Sequence, residues 1–237
     1  MRETISSSTP RVWVSVRKVL VTGASKGLGK VVCDAFQHDY EVIPFTRDRL
    51  DYLHMEGWNC VLPQVDVIIH CAGGGLGLRG PFLTAEAAYQ LFMVNLGGAM
   101  EINRILVPEM MHREAGNVIH VCSIASGEAV GSVGYNTMKA ALAAYVRSLG
   151  NAMAPYGVIV TGIAPGGFRA PGNAMERLEK NNVEAYREFV DKRLPRRKMG
   201  EASELLPLLR FLASPEASMM GGCVVPIDGG EAVYYAI

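Results

Sequence analysis

The sequence predicts an α/β protein built on one doubly wound parallel sheet of about seven strands flanked by helices. Three observations predict it. Short apolar runs alternate with longer stretches of helical periodicity from Lys18 to Ile227. The runs are continuous rather than alternating, as in strands buried on both faces. The first run passes into a glycine-rich turn and then a helical stretch, the context in which a glycine fingerprint points to a nucleotide.

With 237 residues and no linker or internal repeat, the chain reads as one domain over residues 17–237 behind a polar tail, residues 1–16. Its 23 basic and 23 acidic side chains balance to zero. Without a sustained basic run, nucleic acid and an anionic membrane surface are excluded as main partners. The Ser/Thr-rich start lacks the apolar core of a signal peptide, and no stretch is long and apolar enough to span a bilayer; a cytoplasmic protein is expected. The five cysteines (Cys33, Cys60, Cys71, Cys122, Cys223) and five histidines are scattered, with no CxxC or Cys/His cluster. Reduced, mainly buried thiols and no metal site are expected.

Taken in order, Lys18-Val-Leu-Val-Thr22 is the first strand and Gly23-Ala-Ser-Lys-Gly-Leu-Gly29 the turn. Such glycines bring backbone close to a pyrophosphate, whose charge the amides and positive dipole end of the next helix receive. That helix is expected over residues 30–38, with Val31, Val32, Ala35 and Phe36 inward. Glu41-Val-Ile-Pro-Phe45 is the second strand, ending in Thr46-Arg47. In a dinucleotide fold this end meets the adenosine ribose, where a carboxylate suits the 2′-OH of NAD and an arginine the 2′-phosphate of NADP. Arg47, with Lys26 in the turn, favours NADP; Asp48 either pairs with Arg47 or approaches a ribose itself. Residues 48–64 are too few for a full βαβ unit, and Leu50-Asp51-Tyr52-Leu53 reads as an abbreviated third strand without its preceding helix.

Residues 65–70 form a strand that runs into Cys71-Ala-Gly-Gly-Gly75, at the edge where open α/β sheets bind ligands. Helices are expected over 84–94 and 97–113, interrupted at Asn95-Leu-Gly-Gly. A strand over 117–123 leads through a loop to a helix over 135–155, with Ala140, Leu142, Ala143, Val146 and Leu149 inward. Another strand over 157–163 is followed by Ala164-Pro-Gly-Gly167. Residues 168–200 are charged and rich in basic side chains, with a helix over 176–190. They read either as a solvated helix laced with i,i+4 pairs or as a substrate lid whose arginines meet an anion. A helix over 203–213, with Ser203 as N-cap and Pro207 limiting its regularity, precedes the last strand, Cys223-Val-Val-Pro-Ile227, and Asp228-Gly-Gly230.

Tyr135 and Lys139 are four residues apart and share a helix face. An ammonium near a phenol favours the phenolate, which makes Tyr135 a candidate proton donor and acceptor. The same spacing also suits two ordinary surface residues. The wider set of motifs decides between them. Thr22-Gly-Ala-Ser-Lys-Gly-Leu-Gly29 matches a TGxxxGxG cofactor motif, Cys71-Ala-Gly73 the end of NNAG, Pro165-Gly166 a PG motif and Asp228-Gly-Gly230 a DGG motif, while Asn95, Ser123, Tyr135 and Lys139 fall in catalytic order. From Lys18 to Gly230 the chain resembles the single-domain branch of the short-chain dehydrogenase/reductase family, with a general likeness to 3-oxoacyl-carrier-protein reductases.

That resemblance implies a Rossmann-like fold and four roles. Tyr135 transfers a proton to or from the substrate oxygen. Lys139 binds the nicotinamide ribose and favours ionisation of Tyr135. Ser123 hydrogen-bonds the reacting oxygen, and Asn95 holds a water that links Lys139 to solvent. It also implies cofactor contacts from Gly23, Ser25, Lys26, Gly27, Leu28 and Gly29 in the turn, and from Thr46, Arg47 and Asp51 beyond the second strand. Ala72, Gly73, Asn95, Tyr135, Lys139, Pro165 and Gly166 complete them. The expected cofactor is NADP(H), with NAD(H) the alternative. The expected activity is hydride transfer to a small-molecule carbonyl, anionic and carrier-bound compounds being among the candidates. A homotetramer or homodimer is expected, built on helices 99–113 and 135–155. The rivals are a nucleotide-binding regulator or scaffold with little turnover and a sugar-nucleotide-modifying enzyme. The complete Asn–Ser–Tyr–Lys set counts against the first, the glycine spacing against the second. The chain also departs from the family pattern. His70-Cys71 replaces two asparagines, so a supporting hydrogen bond must be remade or lost. The Ser123–Tyr135 loop is one residue shorter than in many members, with Ser126 an alternative serine. Ala170 stands where a threonine often follows the PG motif.

Overall fold

The computed structural model describes residues 16–48, 51–53 and 62–234. Its strands are β1 (Lys18–Thr22), β2 (Glu41–Phe45), β3 (Val67–His70), β4 (Gly116–Val121), β5 (Val158–Pro165), β6 (Phe168–Arg169), β7 (Gly200–Glu201) and β8 (Val224–Ile227). Six of them form one sheet in the order β2-β1-β3-β4-β5-β8, all pairs parallel, while β6 and β7 pair separately. The chain steps outward from β1 to β2, then returns past β1 to β3. That reversal opens a crevice at the carboxyl ends of β1 and β3.

The helices are α1 (Gly27–Phe36), α2 (Ala85–Phe92), α3 (Gly98–His112), α4 (Val133–Met153), α5 (Ala174–Asn181), α6 (Val183–Arg193) and α7 (Leu206–Leu212). Successive residues of β1 point to opposite faces. Val19 and Val21 meet Val32 and Phe36 of α1 and Leu209 and Leu212 of α7. Leu20 meets Ile102, Leu106 and Met110 of α3. Both faces are covered, which is why the strands read as unbroken apolar runs. Each such fully buried side chain contributes about 2 kcal/mol. No helix among the described residues is long and apolar enough to cross a membrane.

Several elements differ from the sequence reading. Among the described residues the main sheet has six strands. Leu50 lies outside the described residues, and Asp51–Leu53 forms a turn rather than a third strand. Tyr52 instead packs its ring against Gly98 and hydrogen-bonds Thr22, so it plugs the core beside the crevice, where burial pushes its phenol up to about 12. Helix α1 starts at Gly27, inside the glycine motif. The interruption at Asn95 is a π turn, Met93–Gly97, continuous with α2 and α3. Ala140 is exposed. The charged helix is two, α5 and α6, because Asn182 ends one and caps the next. Ser203 is not a cap: Glu201 and Glu204 form a reciprocal capping box, and Pro207 falls in the first turn of α7, where its missing N–H costs nothing.

Candidate active site

The crevice is lined first by the glycine turn. Gly23 has a φ of 66°, and a Cβ there would lie 2.9 Å from the Ala72 backbone, so both conformation and space require glycine. The Thr22 hydroxyl accepts the Ala72 N–H at 3.2 Å, and the Phe45 carbonyl accepts the Ala24 N–H at 3.2 Å. These bonds draw the ends of β1, β2 and β3 together. Ser25 and Lys26 are exposed; Leu28 and Gly29 are buried in the first turn of α1. Lys26, the N-cap, makes no side-chain cap bond, which leaves first-turn amides available to an anion. The Gly27 amide donates to the Pro171 carbonyl at 2.7 Å, so segment 168–200 begins directly over this turn. Thr46 is half-buried and Arg47 exposed at the neighbouring end of β2. Asp51 accepts the Leu53 amide at 3.0 Å. A tight backbone approach, open helix-end amides and a cation beside β2 fit a dinucleotide phosphate.

The second wall carries Lys139, Asn95, Ser123 and Tyr135. Lys139 of α4 is 3% exposed, and its ammonium donates to the Val121 carbonyl at the end of β4 at 2.7 Å. The ammonium also lies 5.7 Å from the centre of the Tyr135 ring. A Cβ on Gly73 would meet Asn95 Oδ1 at 3.0 Å and Lys139 Nζ at 3.3 Å, so all three sites converge at one point of the crevice. Asn95 sits in the π turn, a geometry frequent at functional sites. Its oxygen accepts the Gly74 amide, and its nitrogen donates to the Gly74 and Leu91 carbonyls, each at 2.9 Å. These bonds use both side-chain N–H groups and leave one acceptor position for a water. The two serines are separated by their bonds. Ser123 Oγ accepts the Ala125 amide at 3.1 Å and keeps its proton to donate, whereas Ser126 Oγ donates to the Lys139 carbonyl at 2.9 Å. Tyr135 is half-buried in the first turn of α4, which Ser132 caps. Asn136, which sequence reasoning passed over, accepts the Gly131 amide at 2.9 Å and donates to the Glu128 carbonyl, fixing the loop between Ser123 and Tyr135. Only its place beside Tyr135 could have signalled it.

The hydrogen bond put in question by His70-Cys71 is remade by a buried network. His70 and His120 are register partners at the ends of β3 and β4, with rings stacked 4.5 Å apart. Asn103 of α3 presents its oxygen to His70 Nε2 at 2.9 Å, and its nitrogen donates to His120 Nε2 at 3.4 Å and Tyr145 Oη at 3.1 Å. Burial pushes the His70 imidazole down to about 4, the Asn103 bond partly opposing it. Burial, the stacked His70 and the nearby Lys139 charge hold His120 well below the usual range. Burial raises the Cys71 thiol, so this side chain is a packing group rather than a nucleophile.

Beyond β5, Pro165 is buried and the Gly166 amide donates to the Ile227 carbonyl at 3.4 Å. Ala170 is 3% exposed and packs in the core under α7 rather than facing the crevice. The basic side chains of segment 168–200 mostly end on carboxylates. Arg169 bridges Glu179 and Glu201 at 2.9 Å each; Lys180, Lys192 and Arg196 meet Glu176, Glu188 and Glu204. Arg193 leaves the segment, donating to Glu128 at 2.7 Å and Glu231 at 3.2 Å. The Val233 amide and Arg193 hold the Glu128 carboxyl below its usual range. No group of three or more metal-ligating side chains gathers among the described residues.

The family model described as enoyl-(acyl carrier protein) reductase matches residues 56–231. A 2,3-dihydroxy-2,3-dihydro-p-cumate dehydrogenase of Pseudomonas putida is 30% identical over 174 residues, 72% of this chain and 65% of that relative. The chain thus spans just under two thirds of that relative's length. A 3-oxoacyl-[acyl-carrier-protein] reductase of Aquifex aeolicus is 26% identical over 223 residues, 90% of this chain and 86% of the relative. The crystal structure of a 3-oxoacyl (acyl-carrier-protein) reductase from Agrobacterium tumefaciens C58 with NADP bound superposes with a TM-score of 0.80 at 20% identity, covering 90% of this chain and 93% of that one; this likeness is one of fold.

Proposed function

The chain belongs to the short-chain dehydrogenase/reductase family, and from that premise we propose that it is an NADP(H)-preferring oxidoreductase acting on a small carbonyl or alcohol, with reduction as its working direction. The observation that carries this reading is the convergence of Lys139, Asn95 and Gly73 beside Tyr135, in the crevice opened by the strand reversal at β1 and β3. When bound, the reduced nicotinamide supplies the hydride. The chain's own groups manage the oxygen. Ser123 accepts from the Ala125 amide, which aims its O–H outward to the substrate oxygen as negative charge grows there. Tyr135 delivers the proton to that oxygen. Lys139, anchored on the Val121 carbonyl, keeps two further N–H groups for ribose hydroxyls and for the electrostatic support of Tyr135.

Arg47 and Lys26 stand at the adenosine end, where a 2′-phosphate carries its charge. NAD(H) lacks that phosphate and is the weaker ligand in this reading. The exposed small side chains Ala140, Ala141 and Ala144 on α4 permit close approach of a second helix, which supports a homodimer or homotetramer through α3 and α4.

Tyr135→Phe is expected to lower NADPH oxidation on a ketone panel by at least about a thousandfold, a general-acid loss, while NADPH still binds by fluorescence titration. Turnover within tenfold of wild type removes Tyr135 from the proton step. Arg47→Ala is expected to weaken NADPH by about tenfold or more and to leave NADH nearly unchanged. Equal losses for both cofactors exclude a 2′-phosphate contact.

A further inference from the structure

Glu128, Arg193 and Glu231 form a bridge between the loop that carries Ser123 and the loop that follows Pro165. Glu128 lies between Ser123 and Tyr135, with its side chain 9% exposed. Glu231, 4% exposed at the side chain, accepts the Gly167 amide at 2.5 Å. A Cβ on Gly166 would meet its Oε2 at 2.6 Å, so that carboxylate lies hard against the 165–167 loop. Arg193 of α6 joins the two carboxylates. Two carboxylates of low side-chain exposure against one guanidinium that is a third exposed leave the bridge itself with one excess negative charge. Exposed aliphatic side chains stand near Glu128: Val130, Val133 and Val233, the last adjoining the backbone amide that Glu128 accepts, while the exposed Arg196 lies against Gly229 on the Glu231 side. The one cation of segment 168–200 that reaches the Ser123–Tyr135 loop is therefore already doubly engaged.

We propose that this bridge selects the substrate by charge: the site takes neutral, apolar-flanked ketones and rejects ketones with a carboxylate or phosphate near the carbonyl, Glu128 being the specificity-determining residue. The proposal rests on the reductase reading above and narrows its substrate. An anion brought beside the bridge's excess negative charge is repelled, whereas a neutral ketone is not.

The test uses ketone pairs matched in shape, one neutral and one bearing a carboxylate close to the carbonyl, with the full chain and NADPH. Wild type is expected to favour the neutral member by about tenfold or more in kcat/KM, and 0.5 M NaCl is expected to shrink that ratio by screening. Glu128→Gln removes one charge at nearly unchanged size, and its single oxygen still accepts from Arg193 or from the Val233 amide. It is expected to bring the ratio down about tenfold while leaving the neutral ketone's kcat/KM within about twofold. A wild-type ratio near one, or equal losses on both members in the variant, overturns the proposal. The same ratio is measured as binding of each ketone to the NADPH complex by fluorescence competition. A charge preference in binding without turnover of any ketone sinks the reductase reading and leaves charge selection standing. Turnover without the preference does the reverse.

Discussion

The His70–Asn103–His120–Tyr145 network and segment 168–200 are both rich in polar side chains, and they treat them in opposite ways. In the network the two imidazoles and the amide are buried and Tyr145 is half-buried, and none carries charge: burial drives both imidazoles to the neutral form, and one amide is shared among three partners. In the segment the charges remain in contact with water and meet in pairs, and neither α5 nor α6 has a fully buried residue. The contrast is one of dielectric. A hydrogen bond lost in the network leaves a buried nitrogen unsatisfied, whereas a pair lost in the segment is replaced by water. The rigid half holds the end of β4, where the Val121 carbonyl fixes Lys139.

The sharpest way to break this contrast is Asn103→Leu, which keeps side-chain volume and strips three polar partners at once. It is expected to lower unfolding free energy by about 3–5 kcal/mol in guanidinium titrations, since two imidazoles and a phenol lose a buried partner. A loss under about 1 kcal/mol would mean that the network is wetter than its geometry implies.

Acid acts next. His70 titrates near 6.5 when unfolded and at about 4 when folded, so between those values the unfolded chain binds the extra proton. Its contribution is complete above pH 6.5 and is lost as pH falls toward 4, about 3 kcal/mol in all, with His120 acting in the same direction. Denaturant titrations at pH 7, 6, 5 and 4.5 on wild type and His70→Asn check it. The variant should show a shallower fall, and parallel curves would remove His70 as the cause. The smallest effect belongs to the segment. Arg169→Met breaks two half-exposed pairs and is expected to cost under about 1 kcal/mol. A loss of several kcal/mol by the same titration would make the segment part of the cooperative core.

How much of this was legible in the sequence follows from the range of each interaction. The strands Lys18–Thr22 and Glu41–Phe45 were readable because an apolar run between turn residues is a local signal. The glycine turn was readable because the positive φ of Gly23 and Gly27 is a local demand of the turn, whereas the close approach of Ala72 to Gly23 was not. The order of Asn95, Ser123, Tyr135 and Lys139 could be read as a motif, but not the bonds that make them differ from their neighbours. That Ser126 is tied to the Lys139 carbonyl and Ser123 is not depends on how the loop packs on α4. The π turn at Asn95, the exposure of Ala140 and the burial of Ala170 likewise depend on neighbours far away in the chain.

The sequence by itself determined the alternation of elements, the glycine turn and the residue types that proton and hydride chemistry require. These follow from backbone sterics and side-chain periodicity, which act over a few residues. Only the tertiary structure decided that Tyr52 packs its ring against Gly98 and that Asn103 bonds two histidines from different strands. It alone decided that Arg193 meets carboxylates 65 and 38 residues away rather than an anion from outside. A charge takes the partner that folding brings nearest, and no spacing along the chain records that distance.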